Sequence, residues 1–301
     1  MSQRLQGYFY LTLAMITVGS TVVASKVIAA GMPPFAATAL RFAVALPVFV
    51  VLMRLAGAAR PKLEARDWAI MVLQSAAGSV GYTVLLILGL RLTSAADAGV
   101  VTGTLPIVAA AISVIVLGER PDRRLVFAVT LAAVGVLAIT VPTGGGMHSL
   151  VGNALVFAAV VGEGLFILLN KRMRVAIPPL VLSTWLTGIG LVLSALAAVA
   201  EAAVGGLAAW PAATPGVILA IVYYGLVPTV GGFLAWYAGA ARVSGVEASL
   251  FTALAPVTAV LLAVAVLGEM IGPLQIAGIG LVLGAVLVLG LPRRTAADAA
   301  V

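Results

Sequence analysis

The chain has 301 residues, 63% of them apolar and only 9% charged, against about a quarter charged in an ordinary soluble domain. That composition excludes a water-soluble globule, and the absence of cysteine excludes a disulfide framework, a thiolate metal site and a cysteine nucleophile. The formal charge of +7 does not point to nucleic acid, because the basic residues lie in short breaks between apolar runs, where membrane orientation accounts for them.

Apolar runs bounded by charge, Gly/Pro or interfacial aromatic residues predict ten membrane-spanning helices. The first five run from 7 to 25, 35 to 53, 68 to 90, 96 to 118 and 125 to 141. The second five run from 150 to 169, 180 to 200, 217 to 240, 247 to 268 and 273 to 291. With the N-terminus inside, every Lys and Arg falls in a cytoplasmic segment except Lys26 and Arg91 outside and Arg41 within the second span. This lopsided distribution predicts both termini cytoplasmic, in a multi-pass protein of a bacterial-type inner membrane. Arg4, the first apolar run and Ala29-Ala30-Gly31 also resemble a cleavable signal peptide, a reading that the following repeat opposes.

A shift of 150 residues places Leu-Gly-Glu 117–119 on Leu-Gly-Glu 267–269, Pro106 on Pro256, Pro142 on Pro292, Thr102 on Thr252, Ser94 on Ser244 and Gly81 on Gly231. A shift of 145 places Gly19 on Gly164, Lys26 on Lys171 and Pro33-Pro34 on Pro178-Pro179. The chain is therefore read as two five-helix repeats, residues 1–147 and 148–301. Five is odd, so the second repeat enters the membrane in the opposite sense to the first, an arrangement characteristic of alternating-access carriers with a central cavity.

Four stretches carry a resemblance: Gly-Ser-Thr-Val-Val-Ala-Ser-Lys at 19–26, Pro-Pro-Phe-Ala-Ala-Thr-Ala-Leu-Arg-Phe at 33–42, Thr-Ser-Ala-Ala-Asp-Ala at 93–98, and the two helices running from proline to Leu-Gly-Glu. Together they resemble the EamA-type branch of the drug/metabolite transporter superfamily, over nearly the whole chain. The resemblance implies a ten-helix, all-α membrane fold around a central cavity and, for many members, export of amino acids or related metabolites. Val18 departs from it, standing where an aromatic residue is frequent.

Candidate site residues follow from polarity at depth. Pro106 and Pro256, in the fourth and ninth spans, lack the N–H that would bond the carbonyls of Thr102 and Thr252, so these spans are expected to bend there and offer polar groups. Glu163 lies inside the sixth span, about 12 Å of helix before Lys171, and must face a cavity, find a partner or stay protonated. It is a candidate for recognising a substrate amino group or for coupling a proton. Arg41 is close enough to the outer end of its span to reach headgroups along its stem, which favours a structural role. Gln74, Gly78 and Tyr82 recur every four residues, with Ser75 and Ser79 on the adjoining stripe. The eighth span answers with Tyr223, Tyr224, Pro228, Thr229, Trp236 and Tyr237. Gln74, Ser79, Tyr82, Thr102, Glu163, Tyr224, Thr252 and Trp236 are thus the expected cavity lining, with Pro106, Pro256 and Pro228 as hinges. Glu119 and Glu269, at span ends beside a loop, read as interfacial caps.

No metal set is recognisable, no nucleotide loop is present and no cofactor is expected beyond the proton. The expected partners are the bilayer, a small-molecule substrate and, through Gly280 and Gly284, a second copy as an alternative to the monomer. The leading function is export of amino acids or related amphipathic solutes, with export of cationic drugs as the alternative. A membrane enzyme is opposed by a lone histidine, His148, with no carboxylate near it in sequence, and a passive pore by the twofold rather than ring-like repetition.

Overall fold

The computed structural model describes residues 2–117, 123–139, 149–205, 213–243, 248 and 251–290. Among these residues the regular elements are all helical. In chain order they are α1 (Gln3–Ala29), α2 (Pro34–Leu55), α3 (Ala65–Gln74), which passes through a π-helical stretch (Ser75–Gly81) into α4 (Tyr82–Leu90), α5 (Ala95–Thr102), α6 (Leu105–Leu117) and α7 (Arg123–Ile139). The second series is α8 (Leu150–Lys171), α9 (Pro179–Gly205), α10 (Pro215–Tyr224), which passes through a second π-helical stretch (Gly225–Gly232) into α11 (Phe233–Ala240), α12 (Leu254–Leu267) and α13 (Pro273–Gly290).

Helix starts follow local chemistry. Ser2, Ser149 and Thr214 each accept a hydrogen bond from the backbone three residues on, satisfying a first-turn N–H of α1, α8 and α10. Among the described residues six helices are long and apolar enough to cross a membrane, and α5 with α6, bent by 42°, makes a seventh. The apolar stretches Leu125–Ala138, Leu254–Leu267 and Pro273–Val288 fall where the fifth, ninth and tenth spans are expected but are shorter. Fourteen residues rise only about 21 Å, less than a hydrocarbon core of about 30 Å, so helix length does not establish ten crossings.

The repeat is visible in the helices themselves. The two π-helical stretches begin 150 residues apart and interrupt the third and eighth predicted spans at matched places. The first holds Gly78 where the second holds Pro228. Pro228 has no N–H for the Tyr224 carbonyl, and the Thr229 hydroxyl donates to that carbonyl instead at 2.8 Å. Gly19 and Gly164 also behave alike: a Cβ on Gly19 would press on Ala255 and Ala259 of α12, and one on Gly164 on Ala109 and Ile112 of α6. Each glycine lets its helix approach the other repeat's fourth span closely, and Ala259 and Ala109 are themselves 150 apart.

The strongest helix contacts run between repeats: α2 along α9, α7 along α13, α1 on α11 and α12, and α8 on α4 and α6. The largest apolar cluster draws on both repeats, with Val22, Leu86 and Val100 from the first and Val156, Ile221 and Ala259 from the second.

The expected bends differ in form from a kinked continuous helix. The fourth span breaks at Gly103 and Thr104, and Pro106 stands in the first turn of α6, where a missing N–H costs no intrahelical bond. Pro256 likewise stands in the first turn of α12, after a turn at Thr252 and Ala253. The Thr252 carbonyl accepts from the Ala255 N–H at 3.2 Å and so is not a vacant acceptor.

Candidate functional site

A charged and aromatic group forms where α1, α2, the third span, α8 and α10 converge. Arg41 does not reach for headgroups. It is only 7% exposed, and its guanidinium lies over the rings of Phe42 and Tyr224, at 4.2 Å and 4.6 Å from their centroids. Its Nη2 donates to the Ser79 carbonyl at 3.3 Å, while its buried Nε has no partner. The Ser79 carbonyl also accepts from the Thr83 hydroxyl, so the residue serves here through its backbone.

Tyr82, Tyr224 and Glu163 all lie within electrostatic reach of this guanidinium, and Tyr82 stands beside the Thr21 hydroxyl. Glu163 and Arg41 feel each other's charge without being joined in a salt bridge. Glu163 and Tyr82 are surrounded by protein yet keep accessible surface, the condition of side chains lining an internal space. Next to them Tyr223 donates to Ser20 of α1 at 2.8 Å, tying the second repeat to the first.

Of the expected lining, this arrangement brings together Ser79, Tyr82, Glu163 and Tyr224. Gln74 is fully buried, and its amide donates to the Phe166 carbonyl of α8 at 3.1 Å. Gly78 belongs to the packing side too, since a Cβ there would collide with Phe166. The Thr102 hydroxyl bonds back to the Gly99 carbonyl at 2.9 Å. Trp236, more than three turns beyond Tyr224, packs against Ala14, Met15 and Ala235. Glu269 serves another helix, accepting from the Ala95 and Ala96 N–H groups at the start of α5 at 2.8 Å each. Glu119 and His148 lie outside the described residues.

Sequence reasoning passes over Arg41, Ser20 and Thr21 as site residues. The signal for Arg41 is that it and Glu163 are oppositely charged residues within spans, each needing a partner. A separate groove of about 560 Å³ between α2, α3 and α9 is lined by Leu46, Val50, Trp68, Trp185 and other apolar residues. It has no charged group to orient a solute. Among the described residues no cluster of His, Asp or Glu could hold a metal ion.

The model of the EamA-like transporter family matches residues 5–141 and again 150–291. The "Uncharacterized transporter YetK" of Bacillus subtilis is 30% identical over 97% of this chain and 89% of its own. The "Probable terminal-alkyne amino-acid exporter" of Streptantibioticus cattleyicolor is 29% identical over 79% of this chain and 77% of its own. A crystal structure of another protein superposes with a TM-score of 0.64 over 95% of this chain and 96% of that one, at 22% identity, a likeness of fold. With two matched repeats, apolar membrane-length helices and transporter relatives along most of its length, this multi-pass membrane protein belongs to the EamA-like transporter family.

Proposed function

We propose that the chain is a secondary carrier that exports amino acids or closely related zwitterionic solutes across the inner membrane of a bacterial-type cell. It works by alternating access, with two inverted repeats, residues 1–147 and 148–301, forming ten crossing segments and both termini cytoplasmic. One observation carries the substrate class: inside the bundle a guanidinium and a carboxylate, Arg41 and Glu163, lie close enough to interact yet are not paired with each other. An amino acid supplies both missing partners. Its carboxylate meets the guanidinium of Arg41, its ammonium meets Glu163, and its side chain lies against the rings of Tyr82 and Tyr224.

A cationic drug satisfies Glu163 and the rings but meets repulsion from Arg41, so the zwitterion is the better fit. The amino-acid exporter among the relatives supports the same class. Glu163 is also the residue for a coupling proton, since a carboxyl group that changes partners between conformations can exchange one with either side.

The test is flux of radiolabelled amino acids in proteoliposomes, beside analogues whose carboxylate is replaced by a neutral amide. Movement of the acids with discrimination against the amides supports the reading. Absence of movement of every amino acid under proton, sodium and potential gradients defeats it.

A further inference from the structure

At one end of the bundle three polar contacts join the repeats. Glu269, following α12, accepts from the Ala95 and Ala96 N–H groups at the start of α5, at 2.8 Å each. Gln275 of α13, almost fully buried, donates to Asp97 at 2.7 Å, and Asp97 has no exposed surface. The Thr93 hydroxyl donates to the Asn153 side chain of α8 at 2.8 Å. Each contact has one partner in the first repeat and one in the second. Gln275 is itself held by the Gly272 N–H at 2.6 Å, and Lys26 donates to the Leu90 and Thr93 carbonyls at 2.7 Å and 2.6 Å, fixing the loop that Glu269 and Asn153 grip.

The repeat reveals an asymmetry. A shift of 150 residues matches Glu269 with Glu119, Ser94 with Ser244 and Asp97 with Glu247, so the acidic and capping residues occur in both copies. The same shift matches Gln275 with Leu125 and Thr93 with Val243. Leucine has no amide to donate and valine has no hydroxyl, so the matched set lacks the side-chain donors of two of the three contacts.

We infer that Glu269, Gln275 and Asn153 clamp the second repeat onto residues 93–97 of the first, and that this clamp, two of whose donors the matched Leu125 and Val243 cannot replace, holds the Lys26 end of the carrier closed at rest. The inference rests on the alternating-access reading and goes beyond it. Alternation requires both ends to open, whereas the clamp assigns the resting state to one of them. Under the charge-based orientation the closed end is the outer one, and the empty carrier awaits its solute from the cytoplasm.

The chain is free of cysteine, so one reporter thiol suffices. Ser79→Cys is placed beside Arg41 and labelled with a membrane-impermeant maleimide from the outside of intact cells and from the inside of inverted vesicles. Gln275→Leu and Thr93→Val convert the clamp to the residues of the other copy. Either variant is expected to raise outside labelling about tenfold, the factor lost with one hydrogen bond of this kind, and to lower inside labelling. The reciprocal pair Leu125→Gln and Val243→Thr is expected to slow inside labelling. Thr93→Val is nearly isosteric and carries the test if Gln275→Leu does not yield folded protein. Folded variants whose labelling is unchanged from both sides, or that label faster from the inside, overturn the inference. Absent amino-acid flux in the cysteine-free parent chain, with the labelling shift intact in the reporter, defeats the substrate reading and leaves the clamp standing.

Discussion

Replacing Arg41 by methionine separates a functional arginine from a structural one. In its present place the guanidinium gains two ring contacts worth about 0.5 to 2 kcal/mol each. It also gains one long hydrogen bond to the Ser79 carbonyl, worth no more than about 1.5 kcal/mol. Against these stands the cost of an arginine within a membrane helix, about 2.5 to 3.5 kcal/mol on insertion scales. The gains, about 1 to 5.5 kcal/mol together, bracket the cost, so the net contribution lies within about 3 kcal/mol of zero, and methionine fills the space with a flexible apolar stem. Arg41→Met is expected to move the unfolding midpoint in detergent by only a few degrees. Affinity for amino acids should fall roughly a hundredfold, because about 3 kcal/mol of charge-assisted bonding to the carboxylate is lost. Affinity for an amine lacking the carboxylate should not fall. Arg41→Lys keeps the charge but not the planar stacking, and should restore part of the loss. The assay is substrate-dependent thermal shift and proteoliposome flux on the same preparations. A midpoint lowered by more than about ten degrees, with unchanged substrate affinity in the folded fraction, would refute the reasoning and make Arg41 a packing residue.

Glu163→Gln keeps shape and removes charge; transport of zwitterions should fall at least tenfold and lose its pH dependence, measured as flux across imposed pH gradients, and unaltered pH dependence would take Glu163 out of the coupling step. Thr229→Val leaves the Tyr224 carbonyl without the hydroxyl that serves it beside Pro228, and should cost about 1 to 3 kcal/mol in thermal unfolding. Adding Pro228→Ala restores an N–H and should recover most of that loss, and an additive double variant would count against the pairing. Gly19→Leu drives a side chain into α12, where even a Cβ would stand 2.5 Å from the Ala255 carbonyl oxygen, and should sharply reduce the yield of folded protein. Gly280→Leu, with nothing within 4 Å of the added carbon, should be tolerated by the monomer; if it abolishes a cross-linked dimer, that face joins two copies.

Features that depend on order along the chain were legible in its residues. Duplicated Leu-Gly-Glu, Pro-Pro and Gly-Lys pairs disclose two repeats, and the paired π-helical stretches and the Gly19 and Gly164 contacts give those matches physical form. Features that depend on two helices meeting were not. Arg41 reads as a residue able to reach the headgroups because stem length and distance from the helix end are all that one span reveals; Tyr224, almost two hundred residues away, supplies its ring only in the fold. Gln74 reads as a cavity residue because its polarity within a span is all that one helix reveals, whereas the carbonyl that its amide serves, that of Phe166 on α8, lies 92 residues away. Glu163 is legible because depth alone makes a carboxylate conspicuous among apolar neighbours.

The opposed orientation of the two repeats is the premise on which exchange between inward-open and outward-open states depends. Single cysteines at Ala30 and Ala176, exposed in the segments that follow the first helix of each repeat, report it directly in the cysteine-free chain. An impermeant thiol reagent applied to intact cells is expected to label Ala30→Cys and to reach Ala176→Cys only after the membrane is permeabilised. Labelling of both from the same side would contradict the inverted repeat, and with it the carrier mechanism.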